Sequence, residues 1–165
     1  MSVFVGIDIA ANSFEMVSRK NGKVSKVESY RQTSQGHAQA LKRLTVLKPA
    51  LIVLEATGIY YFDLAVALAQ ADLPVAVINP KSFHHFASLK LANSKTDGVD
   101  AALLAEYGER MQPQRWMPPD ETRLALRDIG RQINRLTGTR SQAKNRLHAL
   151  QSKRSTLPLL VEDEQ

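Results

Sequence analysis

Two apolar stretches decide the fold: VFVGIDI at residues 3–9 and ALIVLE at residues 50–55, each carrying an acid near its end, Asp8 and Glu55. The first alternates and is rich in β-branched residues, which reads as a strand. The second is continuously apolar, the pattern of a strand buried on both faces. Between them, residues 14–19 and 23–30 flank Asn21 and Gly22, a strong hairpin signal. Three antiparallel strands therefore open the chain. Residues 34–47 space Ala38, Leu41, Leu44 and Leu47 as a helix does, and Pro49 stops them. Beyond Gly58, residues 60–71 read as a helix and 73–78 (LPVAVI) as another buried strand, ended by Asn79 and Pro80. A helix over 82–91, a polar loop over 92–96 and a helix over 97–111 with Val99, Leu103, Leu104 and Tyr107 on its apolar side complete the series.

The order β-β-β-α-β-α-β-α predicts an α/β fold, a mixed five-stranded sheet with flanking helices. An RNase H-like sheet has this order, with the first strand central and the fourth beside it; that step rests on analogy. The expected organisation is a domain over 1–112, a Pro-rich linker over 113–119, a basic helix over 120–155 capped by Asp120, and an acidic tail over 156–165. In the basic helix Leu126, Ile129, Ile133, Leu136, Arg140, Ala143, Leu147, Leu150 and Arg154 step by three and four, a coiled-coil-like seam with two arginine interruptions.

A chain of 165 residues, 44% hydrophobic, suffices for one ordinary domain with an appendage. It has no cysteine, so disulfides and thiolate metal sites are excluded and a metal would need oxygen or imidazole ligands. No apolar run approaches the roughly 20 residues of a membrane span, and the N-terminus lacks a basic leader, so the expected location is the cytoplasm and no membrane partner is expected. The net charge of +6 is unevenly placed. Residues 1–122 carry 13 basic and 12 acidic side chains, whereas 123–154 carry nine basic ones against Asp128 alone. Arg123, Arg127, Arg131 and Arg135 step by four along one helix face. A charge run is commonly a solvated face, but one without compensating acids also suits a phosphate backbone.

Asp8 and Glu55, if their strands are neighbours, emerge at one sheet edge. Each alone could face solvent or cap a turn. Asp97 and Asp100 lie three apart, on one face of a helix start, where capping or the helix dipole would also favour acids. Four converging carboxylates would repel unless cations neutralised them. Hard oxygen ligands suit Mg²⁺ or Mn²⁺, and two such ions roughly 3.5–4 Å apart serve phosphoryl transfer. Lys95 beside the acids could contact a phosphate or be an ordinary loop lysine.

The stretches Gly6-Ile7-Asp8-Ile9-Ala10, Glu55-Ala56-Thr57-Gly58-Ile59-Tyr60, Asn79-Pro80, Lys95-Thr96-Asp97-Gly98-Val99-Asp100-Ala101 and Lys144-Asn145-Arg146-Leu147-His148 together resemble the DEDD transposases of the IS-one-ten insertion-sequence type, a family that includes the Piv DNA invertase. The resemblance implies a RuvC-like domain in which Asp8, Glu55, Asp97 and Asp100 form a catalytic tetrad binding Mg²⁺ or Mn²⁺, with two ions expected. It implies DNA as partner, with Lys144 and Arg146 beside Lys95 and the arginine stripe as nucleic-acid contacts. It further implies self-association through the 120–155 helix and, as in some members, a structured guide RNA. Ala11 stands where the family often has Lys. Family enzymes use a nucleophilic serine on a further domain that nothing here matches, since Ser94 reads as a loop residue and Ser141 as a helix-surface one. The expected function is thus a transposase or recombinase N-terminal domain, inactive alone in strand exchange. The alternatives are a stand-alone RuvC-like nuclease or junction resolvase, and a non-catalytic nucleic-acid-binding, dimerising fragment.

Adjacent His84 and His85 point about 100° apart on a helix and chelate one ion poorly, so a structural or solvent role is expected. Phe83 and Phe86 read as core, Trp116 as packed on the domain, and Tyr60 and Tyr61 as either core or site lining.

Overall fold

A computed structural model describes residues 2–92 and 100–152. The chain divides into two compact units, Met1–Pro118 and Pro119–Gln165. In the first, the strands are β1 (Val3–Ile9), β2 (Ser13–Lys20), β3 (Lys23–Val24), β4 (Glu28–Arg31), β5 (Leu51–Glu55) and β6 (Val75–Ile78). The helices are α1 (Ser34–Leu47), α2 (Tyr61–Gln70), α3 (Pro80–Ala92) and α4 (Asp100–Met111). Strands run in the order β3-β2-β1-β5-β6, with β4 also paired to β2. β1 is antiparallel to β2 and parallel to β5, so it is central and β5 is its neighbour.

The sheet has six strands rather than the expected five because the third is broken. At Ser25 the side chain enters the ladder: its Oγ accepts from the Ser18 N–H at 3.0 Å and donates to the Lys26 carbonyl at 2.8 Å. That local bond competes with strand pairing, and the chain rejoins β2 only at Glu28. Other limits shift by a few residues. The last helix of the unit is described from Asp100, and its expected start at Asp97 lies outside the described residues, as does most of the 92–96 loop.

Alternation along β1 splits the core into two layers. Val5 and Ile7, with Ile52, Leu54, Phe14 and Met16, bury against Ala40 and Leu44 of α1 and Leu64, Ala65 and Leu68 of α2. On the other face Phe4, Leu51, Val53, Ala76 and Ile78 meet Phe83 of α3 and Leu103, Leu104 and Tyr107 of α4. Fully burying each of the larger side chains among these, valine through phenylalanine, contributes about 1.5–3 kcal/mol. β6 is an edge, and the following strap covers it: the Trp116 N–H donates to the Val75 carbonyl at 2.7 Å and the Trp116 indole meets Phe62 edge-on at 5.8 Å.

The second unit holds α5 (Glu121–Gln151), whose Asp120 cap accepts from the Arg123 N–H at 2.8 Å. Arg154 of the seam and the tail from 153 lie outside the described residues. Among the described residues no helix is long and apolar enough to cross a membrane.

Candidate functional site

The α4-facing side of the sheet carries the acids. Alternation places Phe4, Gly6 and Asp8 of β1 on that side, together with Leu51, Val53 and Glu55 of β5. The β1–β5 register runs to Ile7 opposite Leu54, and one further step sets Asp8 beside Glu55. Across the other ladder, Asp8 is directly opposite Glu15 of β2. Glu15, Asp8 and Glu55 therefore form a row across three adjacent strands, at the roughly 4.7–4.9 Å spacing of neighbouring strands.

Asp100 reaches this row because α4 crosses β1 at close range. A Cβ on Gly6 would overlap the Ala101 carbonyl oxygen and the Ala105 nitrogen, so only glycine permits the approach. Asp100 sits in the first turn of α4, where the helix dipole favours a negative charge. Burial pushes the Asp8 carboxyl above its usual range, the charges of Asp100, Glu15 and Glu55 push it the same way, and the Ile9 N–H opposes them. Asp8 thus feels three other carboxylates at once.

Glu55 is aimed by its own motif. The Thr57 hydroxyl donates to Glu55 Oε1 at 2.7 Å, and the Thr57 N–H donates to the Glu55 carbonyl at 2.9 Å. Gly58, at φ +62°, completes the turn. Below the site, buried Glu106 of α4 accepts from Lys90 of α3 and Arg110, each at 2.7 Å, with Arg19 of β2 at 3.9 Å. Burial raises its pKa, but these cations outweigh that and hold it below the usual range. Arg19 also pairs with Glu109 at 2.6 Å, so α4 is tied to both β2 and α3.

Of the expected tetrad, Asp8, Glu55 and Asp100 are brought to one sheet face, while Asp97, like Lys95 and Ser94, lies outside the described residues. Among the described residues no three acidic or histidine side chains already stand in ligating geometry. The donor chemistry nevertheless fits a hard divalent cation: all-oxygen ligands and mutual repulsion at Asp8 that a cation would relieve. The hollow lined by Ser18, Lys20, Asn21 and Lys23 lies at the other end of the sheet and gathers no acids.

Glu15 and Thr57 escaped the sequence reading. The signal for Glu15 was the hairpin register, since any pairing that sets Ile9 opposite Phe14 sets Asp8 opposite Glu15. On α5, Arg123, Arg135, Lys144 and Arg146 are exposed, whereas Arg127 and Arg131 are less so. Arg123 approaches Asp120 at 3.9 Å, an exposed pair that stabilises little, and partly buried Arg131 approaches exposed Asp128 at 3.8 Å. Exposed His84 and His85 stand 6.3 Å apart by ring centroid. Ser141 donates along its helix to the Thr137 carbonyl. Tyr61 joins the core, and Tyr60 is exposed.

Comparison with known proteins shows the family and the fold. A family model described as transposase, of the DEDD IS110 type, matches residues 5–152. The pilin gene-inverting proteins of Moraxella bovis and Moraxella lacunata are each 29% identical over 131 residues, covering 74% of this chain. The chain spans 39% of the length of these relatives. Among solved structures, T. thermophilus RuvC in complex with a Holliday junction substrate is similar with a TM-score of 0.51 at 16% identity, covering 70% of this chain and 99% of that one. A second Thermus thermophilus RuvC structure gives 0.50 at 16% identity, covering 68% and 98%. Identity this low shows the fold, a RuvC-like member of the RNase H class.

Proposed function

We propose, from the premise that this chain belongs to the DEDD transposase family of the IS110 type, that it holds the acidic part of a DNA strand-cleaving and strand-transferring site. Asp8, Glu55 and Asp100, joined by Asp97, would hold Mg²⁺ or Mn²⁺. The observation that carries this is the row of carboxylates under the start of α4, with Asp8 pressed by three like charges. When bound, the cations polarise a phosphate and stabilise the leaving oxygen. The chain's own part is to gather and space the acids, with Thr57 orienting Glu55. The nucleophile would come from another part of the assembly, a serine in the family that the sequence resembles.

DNA is the proposed substrate class, and the RuvC relative was solved with a Holliday junction substrate. Arg123, Arg127, Arg131 and Arg135, with Lys144 and Arg146, would contact phosphates, and Lys95 would do so beside the acids. The seam residues Leu126, Ile129, Ile133 and Leu136 are 56–64% exposed in the single chain, which supports a second copy covering them through α5. A structured guide RNA would bind the same basic surface by the same phosphate chemistry.

The test is calorimetric titration of Mn²⁺ into wild type and Asp8→Asn, with anisotropy of a labelled four-way DNA junction. Wild type should bind Mn²⁺ and the junction, and Asp8→Asn should lose the metal but keep the DNA. Equal Mn²⁺ binding by both proteins, or none by wild type, overturns the reading. Cleavage by the isolated chain would instead favour a stand-alone nuclease.

A further inference from the structure

The β1–β5 ladder ends at Ile7 and Leu54, one residue before Asp8 and Glu55. The two acids therefore stand just beyond the last rung that ties their strands together. Glu55 is instead followed by a bond to the far neighbour, from the Ala56 N–H to the Ile78 carbonyl at 2.9 Å. Beyond that rung the loops leaving β1 and β5 no longer share a ladder, so a contact that spans them can tune their separation.

One side chain spans them. Gln32, between β4 and α1, donates from Nε2 to the Ala10 carbonyl at 3.4 Å and to the Tyr60 carbonyl at 3.2 Å. Ala10 lies two residues past Asp8 and Tyr60 five past Glu55. The Gln32 backbone N–H donates to the Asn12 carbonyl at 3.0 Å, fixing the same residue to the β1–β2 turn. The amide cannot be reversed at no cost, because its oxygen would then face two carbonyl oxygens. His37 fits that orientation: its Nε2 lies 2.7 Å from Gln32 Oε1, and with the amide so placed the ring nitrogen is the donor. The His37 ring is in turn seated edge-on against buried Phe14 at 5.8 Å.

We propose that Gln32, hydrogen-bonded to His37, is a positioning residue that clamps the loops following Asp8 and Glu55 and so sets the spacing of the two acids. The proposal rests on reading those acids as cation ligands. It places an uncharged residue, outside the acidic motifs, in control of metal affinity.

Gln32→Met keeps the length of the side chain and removes both donors. Two measurements on the 165-residue chain decide the matter: amide hydrogen exchange without metal, and Mn²⁺ titration. Exchange should accelerate in residues 9–13 and 57–61 together, and Mn²⁺ affinity should fall about 10-fold, the scale for losing an outer-sphere partner. The overall unfolding midpoint should move little, since Gln32 is only partly buried. Unchanged exchange in either loop overturns the clamp, and faster exchange with unaltered Mn²⁺ affinity overturns its positioning role. If wild type takes up no Mn²⁺, the functional reading falls, while the metal-free exchange still decides whether the clamp exists.

Discussion

Gly6 of β1 lies directly beneath Ala101 of α4, with room for a hydrogen but not for a methyl group. This contact lowers the start of α4 onto the strand two residues before Asp8 and leaves Asp100, the preceding helical residue, above the acids. Gly6→Ala must push the helix backbone away, because the atoms in its path are main chain. Urea unfolding should show a loss of about 1–3 kcal/mol, the usual scale of overpacking. Mn²⁺ affinity should fall with it as Asp100 retreats.

Asp8 should cost the metal-free protein stability. Its folded pKa is raised above the ordinary 3.8, so its contribution is fully present below that value and is lost as pH rises through the folded pKa. Asp8→Asn should therefore raise the metal-free melting temperature at neutral pH, and the gap over wild type should vanish below about pH 3.8. A melting series across pH 3–8, with and without Mn²⁺, checks the sign; saturating metal should stabilise wild type alone.

Glu106 behaves in the opposite way. Its depressed pKa means that its stabilisation is present above the ordinary 4.5 and is lost as pH falls through the lower folded value. Glu106→Gln leaves Lys90 and Arg110 with access to water, so the expected cost is about 1–2 kcal/mol rather than that of a stranded buried charge. Denaturation at pH 7 and at pH 3 should show the difference shrinking at the lower pH.

Trp116, the chain's one tryptophan, reports on the strap over β6. Phe62→Ala removes its ring partner and should cost about 3 kcal/mol or more, as buried aromatic truncations do. The Trp116 emission should shift to the red in the folded protein, and an unshifted spectrum would place the indole elsewhere.

The arginine stripe should act through salt. Replacing Arg123, Arg127, Arg131 and Arg135 with alanine should flatten the slope of log affinity against log salt for duplex DNA by up to about 3.6, at roughly 0.9 per phosphate contact. The change should be the same for unrelated sequences, since phosphate contacts do not read bases. An unchanged slope would assign the stripe to a solvated face.

Much of this was legible before any coordinates. Alternation in residues 3–9 and the continuous apolar run ending at Glu55 specified two strands, the second buried on both faces, because side-chain direction in a strand repeats every two residues. The placement of Asp120 as a cap was equally local, a carboxylate finding the free N–H groups of a helix start. The break at Ser25 was not legible, because a serine that bonds its own ladder looks in sequence like one that does not.

Sequence alone determined which residues could be strands, where the acids stood along them, and that the excess positive charge lay on one late helix, since these depend on neighbours within a few positions. Tertiary structure decided that β5 brings Glu55 beside Asp8, that Gly6 admits α4, and that Gln32 reaches both loops. Those relations link residues many positions apart, and a register or a backbone contact exists only after the chain has folded back on itself.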